Sequence, residues 1–295
     1  MKISQNQPRI IVVGSCSLDL VLNVQSIPQK NNTVIAKKVE TYFGGKGANE
    51  AVAVARLGAS AYLVSCVGMD PNGQQIMRNL VDENVNAGHV FETDLEPTGT
   101  AFVTSEKTGN SIVVVPSANY CLGTKHIDLV DKYFQTCDMV LLQLEIPMDV
   151  VEYTVNLAKK YNKKVGLYAA PAFLLSNKIV NLLDFIIVKN NELKTVFGED
   201  FSDEVLKKYP NKLFIRDDNN STTYFNGVEM KYQNSPSEDL QYRMGMGDAF
   251  TAGFAVALCH GNSIENCVDF GNTVSQFATK KCGAQDSLPY LKDLK

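Results

Sequence analysis

The chain has 295 residues, of which 45% are hydrophobic and 20% are charged, and its formal net charge is −4. An apolar content this high excludes a mainly disordered protein, and the length suits one large α/β domain or two smaller ones. The slight acidity, without any cluster of Lys and Arg, argues against a protein that binds nucleic acid.

Short β-rich runs alternate with helical patterns along most of the chain. A continuous apolar strand is predicted at 10–13, because its run of Ile and Val ends at a glycine. The other predicted strands are 61–67, 139–144, 164–169, 185–188 and 213–215. The predicted helices are 47–57, 72–83, 148–161, 179–183, 191–197, 248–259 and 263–280. Repeated β-α-β units predict an α/β fold with a doubly wound, mostly parallel sheet flanked by helices on both faces.

Two stretches, about 17–43 and 97–116, break this alternation. Each holds a pair of strands separated by turn residues, and neither contains a helical pattern. They predict one small β-sheet inserted into the α/β core, where it would act as a lid over a site or as a pairing surface. No repeat or linker divides the chain, so we expect a single domain over 1–295 that carries this lid.

Targeting and cysteine signals are absent from the sequence. No apolar run reaches the roughly 18 residues that a membrane-spanning helix needs, and the polar start of the chain lacks the hydrophobic core of a signal peptide. The seven cysteines are scattered without a CxxC pair, and the three histidines lack the spacing of metal ligands. We therefore expect a cytoplasmic protein with reduced cysteines and no structural metal.

The segment 43–49 reads FGGKGAN and leads from a strand-like run into a helix. Its three glycines let the backbone come close to a ligand, and the start of the helix offers N–H donors. It is not a P-loop, because the spacing before Gly-Lys and the following Ser or Thr are missing. A plain tight turn is the alternative, and Lys46 and Asn49 favour a polyhydroxylated ligand.

A second glycine motif, GMGD at 245–248, precedes a long apolar helix. The exposed N–H groups and the dipole of that helix favour an anion, such as a phosphoryl group in transfer. Asp248 is then placed to act as a general base. Asp is also common at the start of helices, so this motif alone leaves both interpretations open.

The order of the motifs resembles ribokinase and the PfkB carbohydrate kinase family, and the resemblance runs along almost the whole chain. GSxSxD, FGGKGAN and GxGDAF follow one another in the family's order. Further matching segments are 67–73, 98–100, 117–119, 142–145 and 283–287. The resemblance, closest to the ribokinase branch, implies an ATP- and Mg²⁺-dependent kinase for a sugar hydroxymethyl group. It also implies a ribokinase-like fold whose β-sheet lid commonly pairs as a dimer.

The resemblance implies a role for particular residues. Asp248 matches the catalytic base, and Gly245, Met246 and Gly247 match the backbone anion hole. The positions that match sugar contacts are Ser17, Asp19, Gly45, Lys46, Asn49, Glu145 and Asp248. The positions that match nucleotide contacts are Lys189, Glu192, Arg216, Gly247 and Asn272. Glu192 is expected to hold Mg²⁺ through water, and Gly283 and Ser287 match ligands of a monovalent cation.

The sequence departs from the family pattern mostly on the nucleotide and cation side. Lys189 stands where relatives carry an Asn, 216–218 replaces a Thr-x-Gly loop, and 168–171 replaces an Asn-Pro-Ala-Pro element. Lys189 and Arg216 would offer cationic contacts to phosphate, whereas Asp217 and Asp218 would repel it.

Two neighbouring substitutions bear on the cation. Tyr242 and Arg243 replace an Asp-Thr pair that helps to hold a monovalent cation. Without that carboxylate, the oxygens of Gly283 and Ser287 would bind K⁺ weakly. We expect activity that is largely independent of K⁺, with Arg243 supporting the anion-hole loop by its fixed charge.

These observations predict a kinase that uses ATP to phosphorylate a pentose or a similar small sugar. Its expected partners are a sugar, a nucleotide and a second copy of the chain that pairs through the lid. Two alternatives stay open. One is a sugar-binding protein with weakened nucleotide binding and no kinase activity, and the other is a kinase for a nucleoside or a sugar phosphate.

Overall fold

The computed structural model describes residues 7–106, 109–234 and 242–294, and the following bounds refer to these residues. The strands are β1 Arg9–Val13, β2 Ser17–Asn23, β3 Lys38–Gly44, β4 Ser60–Gly68, β5 Asn86–Thr93, β6 Thr100–Glu106, β7 Gly109–Val115, β8 Met139–Leu142, β9 Lys164–Tyr168, β10 Phe185–Lys189, β11 Leu213–Arg216, β12 Thr222–Phe225 and β13 Met230–Gln233. The α-helices are α1 Lys46–Arg56, α2 Pro71–Asp82, α3 Thr124–Leu129, α4 Asp131–Phe134, α5 Met148–Lys160, α6 Asn177–Leu182, α7 Leu193–Phe197, α8 Asp203–Lys208, α9 Met246–Cys259 and α10 Ile264–Phe277.

The larger sheet has nine strands in the order β13-β12-β11-β10-β9-β8-β1-β4-β5. Its strands run parallel from β11 to β5, and β12 and β13 add an antiparallel edge. The predicted doubly wound, mostly parallel sheet is therefore confirmed. The sequence patterns missed β5, β12 and β13, which lie at or near the two edges, where strands carry more polar residues and lose the continuous apolar run.

Side chains alternate across the central strand β1 into two cores. Ile10 and Val12 pack on one face with residues from α1, α2, α9 and α10. Ile11 and Val13 pack on the other face with residues from α3 to α8. A strand buried on both faces explains the unbroken apolar run in the sequence. None of the described helices is long and apolar enough to cross a membrane.

The smaller sheet has the order β3-β2-β6-β7, and its strands come from the two stretches that were predicted to form a separate sheet. β2 pairs antiparallel with β3 and parallel with β6, so the two stretches interlock at their first strands. The prediction of a small second sheet is confirmed, and residues 107–108 of one predicted turn lie outside the described residues.

The carboxyl ends of β1 and β8 lie side by side where the strand order reverses about β1, which is where open α/β sheets bind ligands. The start of α1 reaches this edge because two glycines touch. A Cβ atom on Gly47 would lie 2.6 Å from the carbonyl carbon of Gly14, so only glycine lets the helix approach the strand so closely.

Candidate active site

A cavity of about 320 Å³ lies between the carboxyl edge of the larger sheet and one face of the smaller sheet. We call it the first cavity. Its walls include every residue predicted to contact a sugar, namely Ser17, Asp19, Gly45, Lys46, Asn49, Glu145 and Asp248. The smaller sheet adds Ala101, Ile112 and Val114, so part of the wall is apolar.

Asp248 lies in the first turn of α9 and is only 3% exposed. Its Oδ2 atom accepts a hydrogen bond of 2.8 Å from Nδ2 of Asn49. Its Oδ1 atom is buried and has no hydrogen-bond partner among the described residues. Burial raises the pKa of Asp248, although the positive charge of Lys46 and the hydrogen bond from Asn49 oppose this shift. A carboxylate with one free oxygen and a raised pKa is suited to accept a proton.

The start of α9 presents backbone donors beside this carboxylate. Gly245 caps the helix in the left-handed conformation with φ of 76°, where a side chain would be strained. The first N–H groups of a helix have no partner within it, so those of Met246 and Gly247 are available at the positive end of a 14-residue helix. This arrangement can bind an anion next to Asp248.

Lys46 and Glu145 form the polar centre of the first cavity. Glu145 accepts hydrogen bonds from the Ser15 hydroxyl and from the backbone N–H of Lys46, the latter at 3.0 Å. The Lys46 ammonium lies 4.0 Å from the second Glu145 oxygen and 5.3 Å from the centre of the Tyr168 ring. Burial lowers the pKa of Lys46, but the charges of Glu145 and Asp248 outweigh burial and raise it. Lys46 therefore stays protonated at neutral pH.

Asp19 points from the smaller sheet into the same cavity and is 7% exposed. Its Oδ1 atom accepts a hydrogen bond of 2.9 Å from the Ser17 hydroxyl. Burial raises the pKa of Asp19 to about 6, and the hydrogen bond from Ser17 opposes this shift. A Cβ atom on Gly44 would collide with the Asp19 carboxylate, which explains the first glycine of the FGG sequence.

A second cavity of about 420 Å³ adjoins the first, and Lys46, Lys189, Gly245 and Asp248 line both. We call it the second cavity. Its cationic lining residues are Lys46, Lys189, Arg216 and Arg243, and its acidic ones are Asp217, Asp218 and Asp248. Asp248 therefore stands where the two cavities meet. The hydroxyl of Tyr168 also lies here, against Gly247, and no pattern in the sequence indicates a role for it.

Arg216 is a buried cation in the wall of the second cavity. Its guanidinium donates hydrogen bonds to four neutral side chains, those of Thr222, Asn272, Asn220 and Ser275. It also stacks on Phe250, with 4.0 Å between the guanidinium carbon and the ring centre. Burial lowers the pKa of Arg216 to about 9. No carboxylate forms an ion pair with it among the described residues, which leaves its charge uncompensated next to the cavity.

Asn272 was predicted to contact the nucleotide, and its placement does not support this. Its Oδ1 atom accepts from Arg216 and from Thr222, the latter at 2.9 Å, and its Nδ2 atom donates to the Gln233 carbonyl. It is 1% exposed and lines neither of the two cavities. Asn272 instead holds Arg216 from behind.

Glu192 and Lys189 were predicted to contact the nucleotide. Both line the first cavity at the end of β10, and Lys189 also lines the second. The Oε2 atom of Glu192 is buried without a hydrogen-bond partner among the described residues, so it is free to accept hydrogen bonds from the water shell of a hydrated cation.

The predicted ligands of a monovalent cation form hydrogen bonds within their own turn. The Gly283 carbonyl accepts from the backbone N–H of Ser287, and the Ser287 hydroxyl donates to the Ala284 carbonyl at 3.1 Å. Neither residue lines the two cavities. Arg243 lines the second cavity and donates to the Asp218 carbonyl at 2.9 Å. Within the described ranges, no cluster of three or more His, Cys, Asp or Glu residues could hold a metal ion.

Comparison with known proteins identifies the family. The profile described as pfkB family carbohydrate kinase matches residues 7–291. Ribokinase from Bacillus subtilis is 34% identical over 281 residues, which cover 95% of this chain and 96% of that protein. Ribokinase from Haemophilus influenzae is 29% identical, with 95% of each chain covered.

Solved structures agree with these sequence relatives. A crystal structure of ribokinase from Thermotoga maritima superposes with a TM-score of 0.85 at 29% identity and 97% coverage of both chains. A structure of Arabidopsis thaliana ribokinase complexed with ribose and ATP gives 0.87 at 28% identity and 98% coverage of both. The chain belongs to the pfkB family of carbohydrate kinases, and it is an enzyme that transfers a phosphoryl group to a sugar.

Proposed function

We propose that this enzyme uses ATP to phosphorylate the hydroxymethyl group of ribose or a closely similar pentose. The observation that carries the proposal is the position of Asp248, whose free oxygen stands where a polar cavity meets a cationic one. The Arabidopsis relative, with the same fold, holds ribose and ATP, which supports these two ligands for the two cavities.

The first cavity has the chemistry of a sugar site. Hydroxyl groups of a sugar donate and accept hydrogen bonds, and carboxylates read them as strong acceptors. Asp19 and Glu145 offer such acceptors from opposite sheets, while Asn49 and Lys46 offer donors. A volume of about 320 Å³ suits a small sugar.

The second cavity has the chemistry of a polyphosphate site. Lys189, Arg216 and Arg243 give it positive charge, and the uncompensated guanidinium of Arg216 is the one with most to gain from an anion. Asp217 and Asp218 lie on the same wall, and we assign them to its rim beside Arg243 rather than to the phosphates.

Asp248 accepts the proton of the sugar hydroxyl as that oxygen attacks the terminal phosphoryl group. The N–H groups of 245–247 stabilise the charge on that group, since they are fixed in place before the reaction. Lys46, which lines both cavities, holds the two substrates together. Glu192 is the residue that would hold Mg²⁺ through water, and the metal would neutralise phosphate charge.

The smaller sheet is proposed to act as the lid and as the surface of a homodimer. Its β2 and β7 strands place Asp19, Ile112 and Val114 on the first cavity. Phe102 and Val113 are paired residues on the opposite face, and they are 43% and 62% exposed. An apolar patch on a sheet is suited to a second copy of itself. A cytoplasmic location stays a proposal, which the free state of all seven cysteines favours.

The proposal is tested by measuring ADP release with a coupled assay across pentoses, hexoses and nucleosides, with Asp248→Asn as the control. Saturable ADP release with ribose, lost in the variant, is the expected result. A preference for a nucleoside would show that the substrate is a nucleoside rather than ribose. Ribose binding in a calorimeter without any ADP release would instead favour the sugar-binding protein.

A further inference from the structure

A chain of three side-chain amides leads away from the Asp248 carboxylate. Asn49 donates from Nδ2 to Asp248 Oδ2 at 2.8 Å. Gln285 donates from Nε2 to Asn49 Oδ1 at 3.2 Å, and Asn79 donates from Nδ2 to Gln285 Oε1 at 2.7 Å. Asn49 and Gln285 therefore each receive a hydrogen bond on the side-chain oxygen and give one from the side-chain nitrogen.

The middle amide is held firmly by its surroundings. Gln285 is 3% exposed, and its backbone carbonyl accepts a hydrogen bond of 2.8 Å from Arg56. Arg56 also donates to the Leu288 carbonyl at 2.7 Å and forms an ion pair with Glu83. The segment that carries Gln285 is thereby tied to α1 and α2.

The direction of this chain matters because an amide has one donor end and one acceptor end. If Asn49 rotated by half a turn, its oxygen would face Asp248 Oδ2, and two acceptors would repel each other. The same rotation would place its nitrogen against the nitrogen of Gln285. Gln285 therefore permits only the orientation in which Asn49 donates to Asp248.

We propose that Gln285 is a positioning residue that fixes Asn49 as a donor to Asp248 and so leaves Asp248 Oδ1 free for the sugar hydroxyl. This rests on the proposed function, in which Asp248 is the base. Asn79 fixes Gln285 in turn, so the orientation is set from α2.

Other charged groups also face Asp248, and they stay in place when Gln285 changes. They are Asp19 on β2, Lys46 and Glu50 on α1, Glu145 after β8, Tyr168 on β9 and Lys189 on β10. A change in the titration of Asp248 on substitution of Gln285 is therefore attributable to the amide chain or to any charge introduced.

The test reverses the direction of the hydrogen bonds along the three amides. In Gln285→Glu, residue 285 has no side-chain donor and still accepts from Asn79. It can bond to Asn49 only if Asn49 rotates and turns its oxygen to Asp248. In Asn79→Asp, the reversal begins one link further away and passes through Gln285. We expect the acid limb of the kcat/KM profile to move up by about one pH unit in both, a tenfold change in proton affinity.

The reversal is separated from the added charge by two further measurements. Gln135→Glu adds the same charge at an exposed amide just after α4 and is expected to leave the profile unchanged. Gln285→Met removes the link without charge, and we expect a fall in kcat of several-fold.

Carbon-13 NMR titration of the aspartate carboxyl groups in the unliganded protein measures the titration of Asp248 without any turnover. The signal that is missing in Asp248→Asn identifies the Asp248 carboxyl group. Titration of Asp248 at higher pH in the two reversed variants supports the inference even if no sugar is phosphorylated, in which case only the proposed function fails. One result would overturn the inference: the wild type is active and Asp248→Asn is not, but neither reversed variant changes the Asp248 titration or the pH profile. If Gln285→Glu fails to fold, Asn79→Asp decides.

Discussion

Asn49 and Asp248 are 199 residues apart in the sequence, and a hydrogen bond of 2.8 Å joins their side chains. Asn49 belongs to the glycine-rich segment at the start of α1, and Asp248 to the one at the start of α9. The bond therefore joins the N-termini of two helices at the boundary between the polar first cavity and the cationic second cavity.

The first prediction concerns the base. Asp248→Asn removes the proton acceptor and keeps the shape, so kcat is expected to fall by at least the roughly 10²–10⁴-fold typical of a lost general base. Sugar affinity, measured by calorimetry, is expected to change little. A variant with near-wild-type kcat would remove Asp248 from the mechanism.

The second prediction concerns the charged acceptor on the smaller sheet. Asp19→Ala deprives a sugar hydroxyl of its partner, which typically costs about 1.5–3 kcal/mol, or tenfold or more in affinity. Calorimetric titration with ribose is the measurement, and Asp94→Ala on the exposed surface is the control. Unchanged affinity in Asp19→Ala would place the sugar elsewhere.

The third prediction follows from the pKa of Asp19, which burial raises to about 6. Asp19 is then charged above that pH and neutral below it, so ribose affinity is expected to fall as the pH drops through about 6. The stability of the sugar-free protein is expected to change in the opposite direction. A raised pKa means that the folded state binds a proton more readily than the unfolded state does, so stability rises as the pH falls from about 6 toward the ordinary value of 3.8. In Asp19→Asn this step in ribose affinity should vanish, and a step that persists would assign it to another group.

The fourth prediction concerns Arg216, which has only neutral hydrogen-bond partners. If it binds phosphate, Arg216→Gln should raise the KM for ATP about tenfold or more, since charge-assisted hydrogen bonds are worth about 1.5–3 kcal/mol. The KM for ribose should stay within about twofold. Steady-state kinetics with each substrate varied in turn gives both values, and Arg9→Gln serves as a distant control. An unchanged KM for ATP would leave Arg216 a purely structural residue.

The fifth prediction concerns K⁺. The Gly283 carbonyl accepts and the Ser287 hydroxyl donates within their own turn, and Tyr242 and Arg243 stand where relatives carry the Asp-Thr pair that helps to hold the cation. Activity is therefore expected to be largely independent of K⁺ in a titration of KCl against tetramethylammonium chloride at constant ionic strength. Saturable activation of several-fold by K⁺ would show that a site persists with other ligands.

The sequence predicted most of the parallel sheet, seven of the described helices and the residues that line the first cavity, because glycine spacing and apolar periodicity are local signals. It missed the short helices α3, α4 and α8. It did not predict that Asn272 would turn its amide to Arg216, since that contact joins residues 56 apart in the chain. The contact of Tyr168 could not be predicted from the sequence either. This residue reads as a loss of the family's Asn, and only the fold brings its hydroxyl against Gly247. Gln285 likewise gains its meaning only through Asn49 and Asn79, which lie on two different helices.

The contact between Gly14 and Gly47 has a consequence for motion during turnover. The floor of the first cavity is joined backbone to backbone to the central strand, so it cannot tilt without opening the core. The smaller sheet, by contrast, connects to the larger one through four strand ends, near residues 17, 44, 100 and 115. Admission of the sugar and release of its phosphate ester would therefore depend on hinges at these ends. Substitutions at Thr100 or Val115, which line neither cavity, would change how fast the enzyme opens and leave the bond-making step as it is.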